Sequence, residues 1–154
     1  MRRNVIALVL SALLFALSYS ASAQQPKKVP RIGYLTSVGS APNEAFLQGL
    51  RDLGYVEGKN VLIEFRTTGG KSERLPELAA ELVRLKVDVI VADTAGEVTA
   101  AKNATATIPI VMRGVADPIA LGLVTSLAHP GVNITGVATL APELSGNVWS
   151  YSRK

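Results

Sequence analysis

Small hydroxyl, glycine and acidic residues follow three apolar runs of this sequence, and they are the residues whose chemistry suggests a function. Hydroxyl and carboxylate groups exchange hydrogen bonds with polar molecules, and the free N–H groups at the start of a helix suit a carboxylate or another anion. Such groups can hold a small polar molecule, and they are not arranged to cleave one. The candidate ligand-binding residues are Thr36, Ser37, Thr94, Ala95, Gly96 and Asp117.

Asp117 has a second interpretation. It stands directly before Pro118, at the end of a segment that we expect to be a strand. Aspartate in this position is as typical of a turn or a helix cap as of a ligand contact, because its side chain bonds readily to nearby backbone N–H groups. Both interpretations of Asp117 stay open at the level of sequence.

The motifs and residue clusters that mark common enzymes and Cys- or His-based metal sites are missing from the sequence. The chain has no cysteine, and a single histidine, His129, excludes a cluster of histidine ligands. It contains no G-x-S-x-G elbow, and no G-x-G-x-x-G follows the first apolar run. Gly69-Gly70-Lys71-Ser72 resembles the end of a phosphate-binding loop, but Phe65 stands where that motif needs glycine. We therefore expect no catalytic residue, no metal and no cofactor, and we expect that the protein is not an enzyme.

The charge balance gives no reason to expect nucleic acid as a partner. The chain has 16 Lys and Arg residues against 12 Asp and Glu residues, a formal net charge of +4. Two of the positive charges, Arg2 and Arg3, lie at the extreme N-terminus, and the others are scattered along the chain. A nucleic-acid-binding domain concentrates such charges on one face or along one helix.

Two runs rich in Val and Ile, at residues 87–92 and 108–112, anchor the prediction of the fold. The runs are nearly continuous rather than alternating, which is typical of strands covered on both faces, as in a parallel sheet. An Ala-rich segment between them, at residues 97–106, predicts a helix. In open α/β sheets, ligands bind outside the carboxyl ends of the strands, near the point where the strand order reverses. The loops after these two runs are therefore the first place to look for a site.

The rest of the chain alternates between strand and helix patterns in the same way. Asn43 and Ser72 are suitable caps for two helices, and Pro76 falls in the first turn of the second, where proline is tolerated. Further strands are predicted at residues 31–36, 61–66 and 133–138, and a short helix at 118–127. The buried stripes of the first two helices are predicted to be Phe46, Leu50 and Leu53, and Leu75, Leu78, Leu82 and Leu85. This order predicts an α/β fold with a parallel, right-handed, doubly wound sheet.

The first 23 residues have the pattern of a secretory signal peptide. Arg2 and Arg3 precede an uncharged apolar run at residues 5–17, and Ala21-Ser22-Ala23 is a small-residue cleavage site. The alternative, a membrane anchor, is disfavoured because the apolar run is shorter than the roughly 20 residues that span a bilayer. We expect cleavage before Gln24, a linker at residues 24–30, and a mature protein in the periplasm.

Several segments of the chain together resemble one known family. They are RIGYLTS at residue 31, FLQGLRDLGYVEGKNVLIEFR at residue 46, LPELAAELVRLKVDVIVA at residue 75 and GVADPIALGLVTSLAHPGVNITGVATLAPELSG at residue 114. This series resembles the substrate-binding proteins of ABC transporters, of the tryptophan/tyrosine type. The resemblance covers residues 31–146 and implies the first of the two Rossmann-like lobes of a type I periplasmic binding protein.

The resemblance also implies a function for the three loops. Residues 36–40, 93–96 and 114–117 would contribute to a pocket for a small organic solute, such as an aromatic amino acid or a related compound. The partners that it implies are this solute and the ABC permease subunits of the inner membrane. Asp93 is less typical of the family, which leaves the identity of the solute open.

The end of the sequence departs from the family pattern. Residues 147–154, NVWSYSRK, lack a helical stripe, whereas the family continues into a charged helix and a second lobe. Read one base early, the codons of this tail can encode R-L-E-L-L-K-E. We therefore expect an aberrant tail produced by a frameshift, an absent second lobe and weak binding of the solute. The alternatives are an exported ligand-sensing domain of a signalling system and a non-functional fragment.

Overall fold

Five parallel strands form a single sheet in the computed structural model, which describes residues 28–39, 42–128, 131 and 133–139. The sheet order is β2-β1-β3-β4-β5. The strands are β1 (Arg31–Thr36), β2 (Leu62–Thr67), β3 (Val89–Ala92), β4 (Ile110–Ala116) and β5 (Ile134–Thr139), and the helices are α1 (Glu44–Asp52), α2 (Leu75–Arg84) and α3 (Ala95–Ala104). The prediction of an α/β fold with a parallel, doubly wound sheet is confirmed.

The strand order reverses between β1 and β3. From β1 the chain first adds β2 on one side and then crosses to the other side, where β3, β4 and β5 follow in sequence. Because every pair is parallel, all five strands end at the same edge of the sheet, which we call the carboxyl edge. In sheets of this order, ligands bind at the carboxyl edge beside the reversal point.

One face of the sheet packs against α2 and α3 and carries most of the core. Leu78 and Leu82 of α2 and Val98 of α3 are buried there, as predicted for α2, whereas Leu85 of the predicted stripe follows the end of the helix and is half-buried. Burial of one such side chain stabilises the fold by about 1.5–3 kcal/mol. Gly33 of β1 lets α2 approach closely, since a Cβ atom at this position would lie 3.1 Å from the Leu82 methyl groups. The strand residues in this cluster include Leu35, Ile90, Ala92, Ile110, Met112 and Ile134.

The opposite face carries α1, which packs through aromatic contacts and has no fully buried residue. Asn43 caps α1, as predicted, by accepting from the Ala45 N–H at 2.8 Å. Phe46 meets the buried Tyr34 ring edge-on, with 5.2 Å between ring centroids. The prediction that Leu53 belongs to the buried stripe is wrong, because α1 ends at Asp52 and Leu53 is 75% exposed.

Two helix predictions need correction. Ser72 does not cap α2, because a short 3-10 turn, Ser72–Arg74, precedes the helix. Residues 118–127 form turns rather than a helix. There, Pro118 O accepts from the Leu123 N–H at 2.9 Å, and Gly122 adopts a positive φ of 64° that interrupts helical geometry.

The predicted signal peptide at residues 1–23 and the tail at residues 147–154 lie outside the described residues. Of the linker at residues 24–30, only residues 28–30 are described. Among the helices that the structure describes, none combines the length and the apolar character that crossing a bilayer requires.

Candidate functional site

The loops after β1 and β3 are neighbours at the carboxyl edge. Leu35 of β1 pairs with Ala92 of β3, and Ala92 pairs with Met112 of β4. The residues that follow, Thr36 and Asp93, therefore lie at the same level along the strand direction. This places the predicted residues Thr36 and Ser37 beside the turn that leads into α3, at the point where the strand order reverses.

The start of α3 offers two backbone donors. Thr94 is the N-cap, with φ −116° and ψ 163°, so Ala95 and Gly96 are the first two helical residues. Their N–H groups have no acceptor within the described part of the chain. Thr94 and Gly96 are exposed and Ala95 is half-buried. These two amides, together with the positive end of the helix dipole, can bind a carboxylate or a polar oxygen of a ligand.

Glu97 is the site residue that sequence reasoning missed. Its side chain is fully buried, with 0% exposure. One carboxylate oxygen accepts from the Ser37 N–H at 2.6 Å, and the other accepts from the N–H groups of Asp93 and Thr94 at 2.7 and 2.9 Å. Thr94-Ala95-Gly96-Glu97 is a capping box, the pattern Ser/Thr-x-x-Glu, and this signal was available in the sequence. The N–H groups of Asp93 and Thr94 therefore already donate to Glu97 and are not available to a ligand.

The two predicted hydroxyl residues after β1, Thr36 and Ser37, differ in whether their side chains are free to contact a ligand. Thr36 is 3% exposed, and its hydroxyl donates to the Val38 carbonyl oxygen at 2.9 Å. Ser37 is half-buried, and its carbonyl oxygen accepts from the Gly70 N–H at 3.0 Å and from the Thr68 hydroxyl at 3.1 Å. Its own hydroxyl has no hydrogen bond among the described residues. Ser37 is thus the better placed of the two for a ligand.

Asp93 points its carboxylate at the α1 face of the sheet. It accepts from the Tyr34 hydroxyl at 3.0 Å and from Arg113 Nε at 2.6 Å. The Arg113 guanidinium lies 5.4 Å from the centroid of the Tyr34 ring and 5.9 Å from that of Phe46. Burial raises the pKa of Tyr34, and the hydrogen bond and charge of Asp93 raise it further. Asp93 is therefore engaged inside this cluster of four side chains.

Asp117 also lies at the carboxyl edge, but it is farther along the strand direction than Thr36 and Asp93. Strand β4 continues four residues beyond the level at which β3 ends, through a bulge at Gly114. With a rise of about 3.3 Å per residue, Asp117 stands roughly 10 Å farther along the strand direction. The residue is exposed, and its carboxylate accepts from the Ala120 N–H at 3.0 Å. This bond is the one that the turn interpretation expects.

The structure thus brings part of the predicted set together. Ser37 and the start of α3 form one contiguous group of donors, joined through Glu97. Thr36 lies beneath this group, and Asp117 stands apart from it. Among the described residues, no three acidic or histidine side chains are grouped so that they could hold a metal ion.

Comparison with known proteins assigns the family. Residues 40–144 match the model of a family described as ABC transporter substrate binding protein, and this match covers more than half of the chain. The chain belongs to that family. A tyrosine-binding protein from Clostridioides difficile (strain R20291) is 38% identical over 95 residues, which are 62% of this chain and 28% of the relative. The chain spans less than a third of the length of that relative.

Three solved structures are similar to this chain. A substrate-binding protein with adhesive properties from Clostridium difficile, in a ligand-free, open structure, matches with a TM-score of 0.70 and 31% identity, covering 77% of this chain and 41% of that one. An ABC domain in complex with L-Trp, from Streptococcus pneumonia, matches with a TM-score of 0.65 and 30% identity, covering 71% and 38%. A conserved domain protein from Vibrio cholerae O1 biovar El Tor matches with a TM-score of 0.71 and 32% identity, covering 80% and 43%.

Proposed function

We propose that this chain supplies the first ligand-binding lobe of the solute-binding component of an ABC importer. The solute is a small organic molecule, such as an aromatic amino acid, and the carboxyl edge of the sheet binds it. The names of two similar proteins support this class of solute, since one is a tyrosine-binding protein and the other was solved with L-Trp. We further propose that the protein works in the periplasm, after removal of residues 1–23, and delivers the solute to permease subunits.

The observation that carries the proposal is the group of donors at the reversal point of the sheet. The amides of Ala95 and Gly96 have no acceptor in the described residues, and the hydroxyls of Ser37 and Thr94 lie on the adjoining loops. In the proposed complex, the carboxylate of the amino acid accepts from the two amides. Glu97 weakens the attraction of the α3 N-terminus for an anion, because its own charge lies within the first turn. We therefore expect binding through directed hydrogen bonds more than through net charge.

The test removes one of the two amides without removing a side chain from the site. Ala95→Pro deletes the N–H at the first helical position, where proline is tolerated because that amide makes no helical bond. The preceding residue, Thr94, already has the extended backbone that a residue before proline prefers. We expect the affinity for L-tryptophan to fall about tenfold, the effect of losing one hydrogen bond to a charged group. Ligand-detected saturation-transfer NMR measures the affinity.

Glu44→Pro is the control, because Glu44 holds the first helical position of α1 and Asn43 before it, with φ −59° and ψ 135°, has a backbone that a residue before proline also accepts. Circular dichroism should show the same helix content in both variants. Equal affinity of Ala95→Pro and the wild-type chain would contradict the proposed site. No saturable binding of L-tryptophan or L-tyrosine to the wild-type chain would contradict the proposed function.

A further inference from the structure

The buried carboxylate of Glu97 has no role in the ligand contacts proposed above, yet it joins two loops that are distant in the sequence. In an ordinary capping box, the acidic side chain reaches back to the N-cap amide of its own helix. Glu97 makes that contact with Thr94 and also reaches Ser37, 60 residues away in the chain, at 2.6 Å. Burying a charge is costly unless hydrogen bonds compensate for it, and three backbone N–H groups do so here.

We propose that Glu97 is a positioning residue, which fixes the separation between Ser37 and the start of α3 and so prepares the site for its solute. This inference rests on the proposed function. The two oxygens divide the task, since one binds the β1 loop and the other binds the β3 loop. The distance between the loops is therefore set by a single rigid group.

The other contacts of the β1 loop do not duplicate this link. The Ser37 carbonyl is held by Gly70 and Thr68, which belong to the loop after β2, on the opposite side of β1. The Thr36 hydroxyl bonds to Val38 within its own loop. Among the described residues, only the Glu97 carboxylate makes a hydrogen bond between the β1 loop and the turn that begins α3. Without it, the donors on the two loops can move relative to each other.

Glu97→Gln cuts this link and leaves the helix cap in place. Glutamine is a normal residue at the third position of a capping box, so its single carbonyl oxygen can still accept from Asp93 and Thr94. Its NH₂ group would then face the Ser37 N–H, and two donors cannot bond to each other. The substitution therefore releases the β1 loop selectively, while the size of the buried side chain is unchanged.

The experiment combines amide hydrogen exchange with ligand binding, on the full chain and with L-tryptophan as the probe. In Glu97→Gln, we expect the Ser37 amide to exchange about tenfold faster or more, because it loses a hydrogen bond to a charged group. The amides inside β1 and β3 should keep their protection. The affinity for L-tryptophan should fall about fivefold, the lower end of ordinary coupling between sites.

Glu81→Gln is the control, because Glu81 accepts from Arg66 Nε at 2.8 Å on α2, away from the carboxyl edge. It should change neither Ser37 exchange nor affinity. Faster exchange of Ser37 with unchanged affinity would overturn the positioning role and leave the proposed function standing. Equal losses of affinity in both glutamine variants would also overturn it, since they would indicate a general loss of stability. Failure of the wild-type chain to bind L-tryptophan is a separate result, which overturns the proposed function and the positioning role together.

Discussion

At the scale of single residues, Asp93 and Glu97 show how two acids four positions apart serve different parts of the structure. Both belong to the turn that begins α3, and both are satisfied by protein donors. Glu97 lies in the interior and holds the two site loops. Asp93 turns to the α1 face, where Arg113 and Tyr34 bind it. Asp93 therefore has its partners inside the protein, Arg113 and Tyr34.

Replacing Asp93 tests this assignment through the ionisation of Tyr34. In Asp93→Asn, the pKa of Tyr34 should fall towards its ordinary value of about 10, because the negative charge that opposes tyrosinate is removed. It should remain somewhat raised, since burial is the larger cause. The chain has four tyrosines, so ultraviolet titration of the Tyr34→Phe variant identifies the signal. An unchanged titration in Asp93→Asn would contradict the cluster.

The hydroxyl of Tyr34 should make the stability of the fold pH-dependent in the alkaline range. The pKa of Tyr34 is raised in the folded state, so its contribution is fully present below the pKa of the unfolded chain, near 10. This contribution is lost as the pH rises through the folded pKa. Urea unfolding of the wild-type chain should show stability falling above pH 10, and Tyr34→Phe should reduce this fall. Parallel curves for the two proteins would contradict the expectation.

Part of the candidate site was predictable at this scale, and part was not. The rule that ligands bind at strand ends directed attention to Ser37 and the start of α3, and the structure shows that these two segments meet at the reversal point. It could not show that the Thr36 hydroxyl turns onto its own loop, since that depends on backbone geometry. Arg113 was missed because its partner Asp93 lies 20 residues away, and only the sheet register brings the two together.

At the scale of elements, the apolar runs predicted the strands and misplaced some of their ends. Strand β4 reaches Ala116 although Arg113 and Gly114 interrupt its apolar run, because β5 pairs with it across the bulge. Helix α3 begins at Ala95, two residues before its predicted start, because Thr94 and Glu97 cap each other. The apolar segment at residues 118–127 predicted a helix, but it forms turns instead, with turn hydrogen bonds and a positive φ at Gly122. Tertiary pairing and turn geometry thus set the boundaries.

Two glycines give a matched test of the pairing between β4 and β5. Gly136 has a φ of 134°, and a Cβ atom there would lie 2.0 Å from the Met112 carbonyl oxygen. Gly136→Ala should therefore destabilise the fold by several kcal/mol, because the strand must shift or detach. Gly49 lies in the exposed part of α1, where an added Cβ meets nothing within 4 Å. Gly49→Ala should stabilise the chain by about 0.5–1 kcal/mol, because alanine favours a helix.

Urea denaturation measures both glycine variants. The same substitution is made at both glycines, so opposite signs of the change in unfolding free energy would show that the pairing of β5 with β4, and not the added methyl group itself, causes the loss at Gly136. A stable Gly136→Ala variant would show that β5 does not pair with β4 as described.

At the scale of the whole molecule, the described residues form one five-stranded α/β unit, and the proposed site lies at the carboxyl edge of its sheet. The chain covers 41% and 43% of two solved relatives, so it corresponds to part of the proteins that it resembles. Binding proteins that enclose a ligand gain affinity by burying most of its surface. A solute that contacts only the carboxyl edge of the described sheet would keep one side in water, and its affinity would be correspondingly lower.

We therefore expect weak binding by this chain. Calorimetric titration with L-tryptophan or L-tyrosine should give a dissociation constant no tighter than roughly millimolar, equivalent to a binding free energy of about −4 kcal/mol. A micromolar constant would contradict this expectation, because it would mean that the chain surrounds its solute more completely than the carboxyl edge alone allows.

The most direct test of the account is a map of backbone amide shifts in the NMR spectrum of the chain during titration with L-tryptophan. We predict that the largest changes occur at Ser37, Thr94, Ala95 and Gly96, while the amides in the last turn of α1, towards the opposite edge of the sheet, stay in place as an internal reference. Changes concentrated at the opposite edge, around Lys28 and Asp88, or in the cleft between Met112 and Leu127 would contradict the account.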